Sequence, residues 1–396
     1  MITRLASIIL IISFLFINNK DHDSGNSHDI KPGSARTEIY VPRLTGKRVG
    51  IVANNTSLIN NTHLVDSLEN LGIDIVKIFT PEHGFLGTAD AGELLSDSAG
   101  LKNNVRIISL YNDKKKPSAE DLKNVDIMVF DIQDVGTRFY TYISTMHYVM
   151  QACAEEKIPL IILDRPNPNG YYVDGPVLQM EYRSFAGMHP VPVVYGMTIA
   201  EYAQMINGEK WLEGGMHCPL EVVLCENYNH DCYYELPVNP SPNLQNMRAV
   251  YLYPSLCLFE GTVMNVGRGT DFSFEVYGHP DYKDKEFYYI PRKTAGAKNP
   301  LHRNLKCYGV DLRNRDIETI RAEKQINLSY IIDAYNKMNA PNNFFTSYFN
   351  YLAGNDILKK QIMDGLTDEQ IRNTWSGDLL YFKKIRKKYL LYPDFE

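Results

Sequence analysis

Between Arg48 and Asp164 the hydrophobic positions fall into short unbroken runs. RVGIVAN (48–54), IDIVKIFT (73–80), VRIISLY (105–111), DIMVFDI (126–132) and IPLIILD (158–164) are rich in Val and Ile and do not alternate with polar residues. Runs of that kind are what parallel strands covered on both faces look like. Between them lie the helix-like segments THLVDSLENLG, SAEDLKNV and RFYTYISTMHYVMQACAEEK, and a further unit follows at TIAEYAQMING. Strands alternating with helices predict βαβ units and a Rossmann-like, doubly wound parallel sheet, an α/β domain over residues 40–245. After residue 245 Tyr and Phe become more frequent and long apolar runs rarer. LHRNLKCYGVDLRN reads as a strand, INLSYIIDAYNKM and DEQIRNTWSGDLLYFKKIRKKYLLY as helices. The expectation for 246–396 is a smaller α+β domain that packs on the first and completes a cleft.

The start of the chain has a different pattern. Arg4 precedes an apolar run from Leu5 to Ile17, the charge order of a secretory signal and too short for a comfortable membrane span. Residues 1–20 are read as a signal peptide and 21–39 as a polar tether, with folding starting near Tyr40. The protein is accordingly expected to be exported, periplasmic or secreted, with no membrane contact beyond the signal. The 396 residues are 44% apolar and carry a formal net charge of -6. Such a chain can bury a sizeable core but offers no basic surface for nucleic acid. The one basic cluster, KKIRKK at 383–388, reads as the solvated face of a C-terminal helix. None of the six Cys residues forms a CxxC pair; Cys153 sits in an apolar helical stretch as a buried thiol, and Cys225 with Cys232 is the one pairing considered.

In open α/β sheets the ligand site lies beyond the carboxyl ends of the strands. The residues there are Asn54-Asn55-Thr56, Pro81-Glu82-His83-Gly84, Asp131-Ile132-Gln133-Asp134 and Asp164-Arg165-Pro166-Asn167-Pro168. Four ends bearing groups that donate, accept or transfer protons argue for a site. Each of Asn55, Asp134 and Asp164 has an alternative as a cap or Asx turn, and Asp164-Arg165 as a structural ion pair. Glu82 precedes HGFLG, where no helix begins that it would cap. No GxGxxG turn follows the first strand and no GxxxxGK[ST] occurs, so nothing calls for a nucleotide or other cofactor. A metal-dependent hydrolase using His83 with Asp131, Asp134 and Asp164 as an N/O ligand set is one reading. Paired carboxylates for glycoside hydrolysis are another, and a non-catalytic binding protein is a third.

Beyond these residues, PEHGF, DIQDVGTRFYTY, LDRPNPNG, YGMTIAEYA, SPNL, YPSLCLFEGT and GRGTDFSFEVYGHP, in that order over about residues 45–396, resemble the blocks of the DUF1343 family of NamZ-type exo-β-N-acetylmuramidases. The resemblance implies a Rossmann-like domain plus a smaller C-terminal domain with the active site between them. It also implies release of terminal N-acetylmuramic acid from the non-reducing end of peptidoglycan fragments, which would be the partners, and for the non-catalytic reading it implies muropeptides as the ligand. The PEHG glutamate maps to Glu82 as general acid/base, with His83 orienting it. Asp131, Asp134, Glu260 and Glu275 are candidates for a second carboxylate. Arg138, Arg165 and Arg268 are candidates for the lactyl carboxylate that distinguishes N-acetylmuramic acid from N-acetylglucosamine. Asn54, Asn167 and Asn243 would serve hydroxyl or acetamido groups, and Tyr140, Asp164 and Thr270 complete the substrate set. EGTVMNVGRGT departs from the expected pattern at Val263 and Met264, where more polar residues are usual.

Overall fold

The computed structural model describes residues 30–88, 98–99, 105–338 and 343–396; the signal-peptide reading lies outside them. The central sheet has six parallel strands: β1 Arg48–Ala53, β2 Asp74–Thr80, β3 Arg106–Ser109, β4 Ile127–Asp131, β5 Leu160–Leu163 and β6 Leu220–Val223. They lie in the order β3-β2-β1-β4-β5-β6, and a two-residue antiparallel strand, Ser98–Ala99, edges β3. That order belongs to dinucleotide-binding folds, whose crevice opens where the winding reverses, between β1 and β4.

The continuous apolar runs have a direct structural cause. Val52, Phe79, Met128, Phe130, Leu160 and Ile162 enter one core with the helices Tyr142–Glu156 and Ile199–Gly208. Their neighbours Val49, Ile51, Ile75, Ile127, Val129, Ile161 and Leu163 enter a second core with the helices Thr37–Leu44 and Leu64–Asn70. Successive side chains on a strand point to opposite faces, so both parities must be apolar when both faces are covered. Strand β6 and the helix Met247–Leu256 are not part of the sequence pattern above. LEVV in β6 is mostly half-buried at a sheet edge, and the helix carries Pro254 within it.

Folding begins earlier than Tyr40. Lys31 pairs with Glu226, and Gly33 donates its amide to Asp164 O at 2.8 Å. A Cβ on Gly33 would lie 2.2 Å from Val223 O, so this segment is anchored by backbone contact that carries no hydrophobic signature. Residues 30–39 therefore belong to the fold rather than to a tether.

The second half contains an antiparallel sheet, Val276–His279, Cys307–Asp311 and Tyr288–Tyr289, surrounded by helices. The first core cluster runs on without interruption through Tyr253, Phe259, Phe274, Phe349, Trp375 and Phe382. Arg138 ties the halves directly. Its Nη1 donates to Pro176 O and Val191 O at 2.7 and 2.8 Å, its Nη2 to Leu352 O and Ala353 O at 2.9 and 2.8 Å. Gly354, at φ 79°, leaves room for that guanidinium: a Cβ there would meet Nη2 at 2.7 Å. The terminal helix, Asp368–Arg386, carries a basic face with one exception. Arg386 is buried, paired with Asp394 at 2.7 and 2.8 Å and bonded to Gly196 O. All six thiols are free, so Cys225 and Cys232 are not bridged, and Cys153 is buried.

Candidate active site

A cleft of about 810 Å³ opens at the carboxyl ends of β2, β3 and β4, walled on the far side by residues of the second half. Glu82 and His83 lie in the turn that follows β2. His83 and Gly84 are both left-handed, at φ 70° and 74°, and Gly84 closes the turn by donating to Pro81 O at 3.1 Å. A left-handed histidine costs on the order of 1–2 kcal/mol. Strain of this kind persists where the surrounding structure over-determines it, and it concentrates at functional sites. Its effect here is to end the strand abruptly and leave the Glu82 carboxyl at the cleft wall, where Thr141 donates to it at 2.7 Å.

The opposite wall starts from a strap. Asn239 O accepts from Asn55 Nδ2 at 3.0 Å, and Pro240 O accepts from the hydroxyls of Tyr140 and Tyr142 at 2.8 and 3.2 Å. Burial raises both phenols well above their usual range, so they remain donors. The strap places Ser241, Asn243 and Leu244 on the cleft, and Asn243 Nδ2 continues to Gly296 O at 2.7 Å. An aromatic chain runs inward from Tyr140 to Tyr253 (5.9 Å between ring centroids) and on to Phe274 (4.9 Å). Arg268 lies over Phe274 at 5.7 Å and donates through Nε to Glu260. Burial opposes the Arg268 charge, but the Glu260 carboxylate outweighs it and holds the guanidinium above its usual pKa. No protein acceptor within the described residues takes its Nη1 or Nη2. Tyr348 lies on the same wall. Burial raises its phenol, with smaller contributions from Cys257 and from the carboxylates of Glu260 and Glu82.

Six of the residues singled out from sequence thus line one cleft: Glu82, His83, Tyr140, Asn243, Glu260 and Arg268. The others are placed elsewhere. Asp131 is fully buried and bound in bidentate fashion by Arg165, at 2.6 and 2.9 Å. Burial works against the Arg165 charge and the contact with Asp131 overrides it. Asp134 accepts from Gly136 N at 2.7 Å and from the Tyr195 hydroxyl, with its pKa raised by burial to about 6. Asp164 accepts from Ala200 N at 3.0 Å and from Tyr392 at 2.6 Å, its pKa pushed by burial to about 7. Asn54 holds Thr56 and Tyr142, and Asn167 holds Asn169 and Met197. Arg138 is committed to its four carbonyls, Thr270 to Gly267 O, and Glu275 to Arg248 and Asn246. None of these nine lines the cleft. The N/O ligand set is not assembled either, since His83 stands on the cleft and the aspartates are engaged in the fold. Among the described residues no three His, Cys, Asp or Glu side chains come together to hold an ion.

Sequence reasoning missed Thr141, Tyr253, Tyr348 and the Lys115–Phe185 corner. Thr141 stood inside the quoted FYTY block, and its hydroxyl was masked there by aromatic neighbours.

Comparison with known proteins settles the lineage. Residues 49–248 match the N-terminal region of the exo-β-N-acetylmuramidase NamZ, and residues 251–392 match its C-terminal region. The chain belongs to this family. It is 39% identical over 374 residues to the peptidoglycan β-N-acetylmuramidase NamZ of Bacillus subtilis, with 89% of each chain covered. Two crystal structures of DUF1343 family proteins from Bacteroides fragilis share the fold. One has a TM-score of 0.86 and 46% identity, the other 0.77 and 26%, each covering 92% of this chain and 99% of its own. The fold expected from the runs, an α/β Rossmann-like sheet with an α+β second part, is the NamZ family's fold.

Proposed function

We infer that this protein is an exo-acting β-N-acetylmuramidase that removes terminal N-acetylmuramic acid from the non-reducing end of peptidoglycan fragments. The observation that carries this reading is the joint presence, on one cleft, of Glu82 and of an arginine whose two terminal nitrogens meet no acceptor among the described residues. Family membership supplies the reaction class. Glu82, oriented by Thr141, protonates the departing glycosidic oxygen, and His83 holds the turn that presents it. Arg268, fixed through Nε, offers two parallel N–H groups to the lactyl carboxylate, a geometry that a guanidinium meets in bidentate fashion. Tyr253, Phe274 and Tyr348 supply apolar faces for the sugar ring, and Asn243 an amide for its polar groups. The cleft volume is within the range of small-molecule sites. An exported enzyme would meet such fragments directly, and the apolar run after Arg4 supports that location.

The test is turnover of paired chromogenic glycosides. Release from the N-acetylmuramide with little release from the N-acetylglucosaminide is expected, and Arg268→Met should reduce kcat/KM on the muramide by about 30-fold, the scale of a charge-assisted bidentate contact. Binding without release by the wild-type protein would leave only the muropeptide-binding reading.

A further inference from the structure

Three consecutive lysines follow β3, and they do different things. Lys114 reaches Asp121 at 2.8 Å and Lys116 reaches Glu155 at 2.8 Å. Lys115, between them, lines the cleft and meets no carboxylate among the described residues; its neighbour is the Phe185 ring, 5.2 Å from Nζ. Phe185 is fixed in turn by Tyr148, nearly parallel at 6.2 Å, and by Tyr111 at 5.9 Å. Of the other cations on the cleft, Arg268 is bonded to Glu260 and Lys298 has a partner within the protein.

The place of this corner in the sheet gives it a meaning. At the carboxyl edge β2 stands between β3 and β1, with β4 beyond. Glu82, after β2, is therefore flanked by Lys115, after β3, and by Tyr140, after β4. The Tyr140 side leads through Tyr253 and Phe274 to Arg268. The cleft thus holds two cations in different places, Lys115 on the β3 side and Arg268 at the end of the aromatic chain from Tyr140. If Arg268 takes the lactyl group of the terminal N-acetylmuramic acid, the Lys115 side faces the saccharide that leaves.

We propose that Lys115, with the Phe185–Tyr111 surface, forms a leaving-group subsite for saccharides that carry a carboxylate. The inference rests on the muramidase reading above. The carboxylate would come either from the lactyl group of a second muramic acid residue or from a stem peptide. In both cases the ammonium attracts the anion while the rings pack against the sugar.

The experiment compares kcat/KM on three substrates: a chromogenic N-acetylmuramide with a neutral aglycone, a peptide-free tetrasaccharide of alternating muramic acid and glucosamine, and the same tetrasaccharide with a stem peptide on its internal muramic acid only. For Lys115→Met the ratio of anionic to neutral substrate is expected to fall about fivefold through KM, the scale of one partly exposed ion pair, and Lys115→Arg should restore it. A fall on the peptide-free tetrasaccharide alone identifies the lactyl carboxylate, which the stem peptide converts to an amide; a fall on the peptide-bearing one alone identifies the peptide, and a fall on both shows that either carboxylate is taken. An unaltered ratio, including equal loss on all three substrates, overturns the proposal. The wild-type enzyme provides an independent check, because the same ratio should decline with added salt; a salt-independent ratio also overturns it. Absence of release from the neutral glycoside by the wild type would instead overturn the muramidase reading.

Discussion

Glu82 and Asp131 both stand at the carboxyl edge of the same sheet, yet one lines a cleft and the other is sealed inside the protein. Side-chain parity accounts for Asp131. It shares the parity of Ile127 and Val129, so it points into the layer beneath the N-terminal segment, where Arg165 bridges it to Leu58 O and Ser34. Glu82 lies two residues past the end of its strand, in a turn whose left-handed residues free it from that alternation. A polar residue inside the pleat inherits the strand's direction. One in the turn takes the direction of the turn.

This contrast can be broken from either side. The largest effect is expected for Glu82→Gln, which keeps shape and removes the titrating group: kcat on the muramide should fall by at least about 10³, within the range of general acid catalysis, with Tm unchanged. Asp131→Asn should do the reverse. It leaves Arg165 charged and buried without its partner, a change worth about 3–5 kcal/mol of stability, measurable by denaturant titration, while any folded fraction keeps its KM. Near-normal stability of that variant would remove the distinction between the two carboxylates.

A third variant probes the other sealed carboxyl group, Asp164. Its pKa lies at about 7 in the folded protein, well above that of an unfolded aspartate, so the native state binds the extra proton between about pH 4 and 7. Stability from this group is full below pH 4 and lost as pH rises through 7. Asp164→Asn should flatten that decline, a span on the order of 4 kcal/mol. The smallest expected effect is at Thr141. Thr141→Val removes one hydrogen bond to Glu82, and kcat should drop about tenfold.

The strands were legible because two-sided burial leaves an apolar run with no gaps, and the cleft's location followed from where those runs stop. Glu82, Tyr140, Asn243, Glu260 and Arg268 were within reach for that reason, aided by the family blocks. The rest failed for physical causes. Asp131, Asp164, Asn54 and Asn167 have the composition of a site, and only the direction of each side chain shows that they serve the fold. Residues 30–39 were invisible because Gly33 and Ser34 are buried by backbone fit rather than by side-chain hydrophobicity. Lys115 was hidden by its neighbours, since KKK at 114–116 reads as uniform surface charge until two of the three find acids.

The Arg138 knot has a kinetic consequence. One guanidinium holds carbonyls from both walls, two of them on the helix Phe349–Ala353 that begins just after Tyr348, and a continuous core lies behind it. Prising the halves apart would strip two of the four hydrogen bonds from a buried charge. The cleft is thus expected to keep its working gap, as a vice already tightened, without a clamshell stroke. Substrate capture is expected to be a single diffusive phase, with no slow isomerisation in stopped-flow traces.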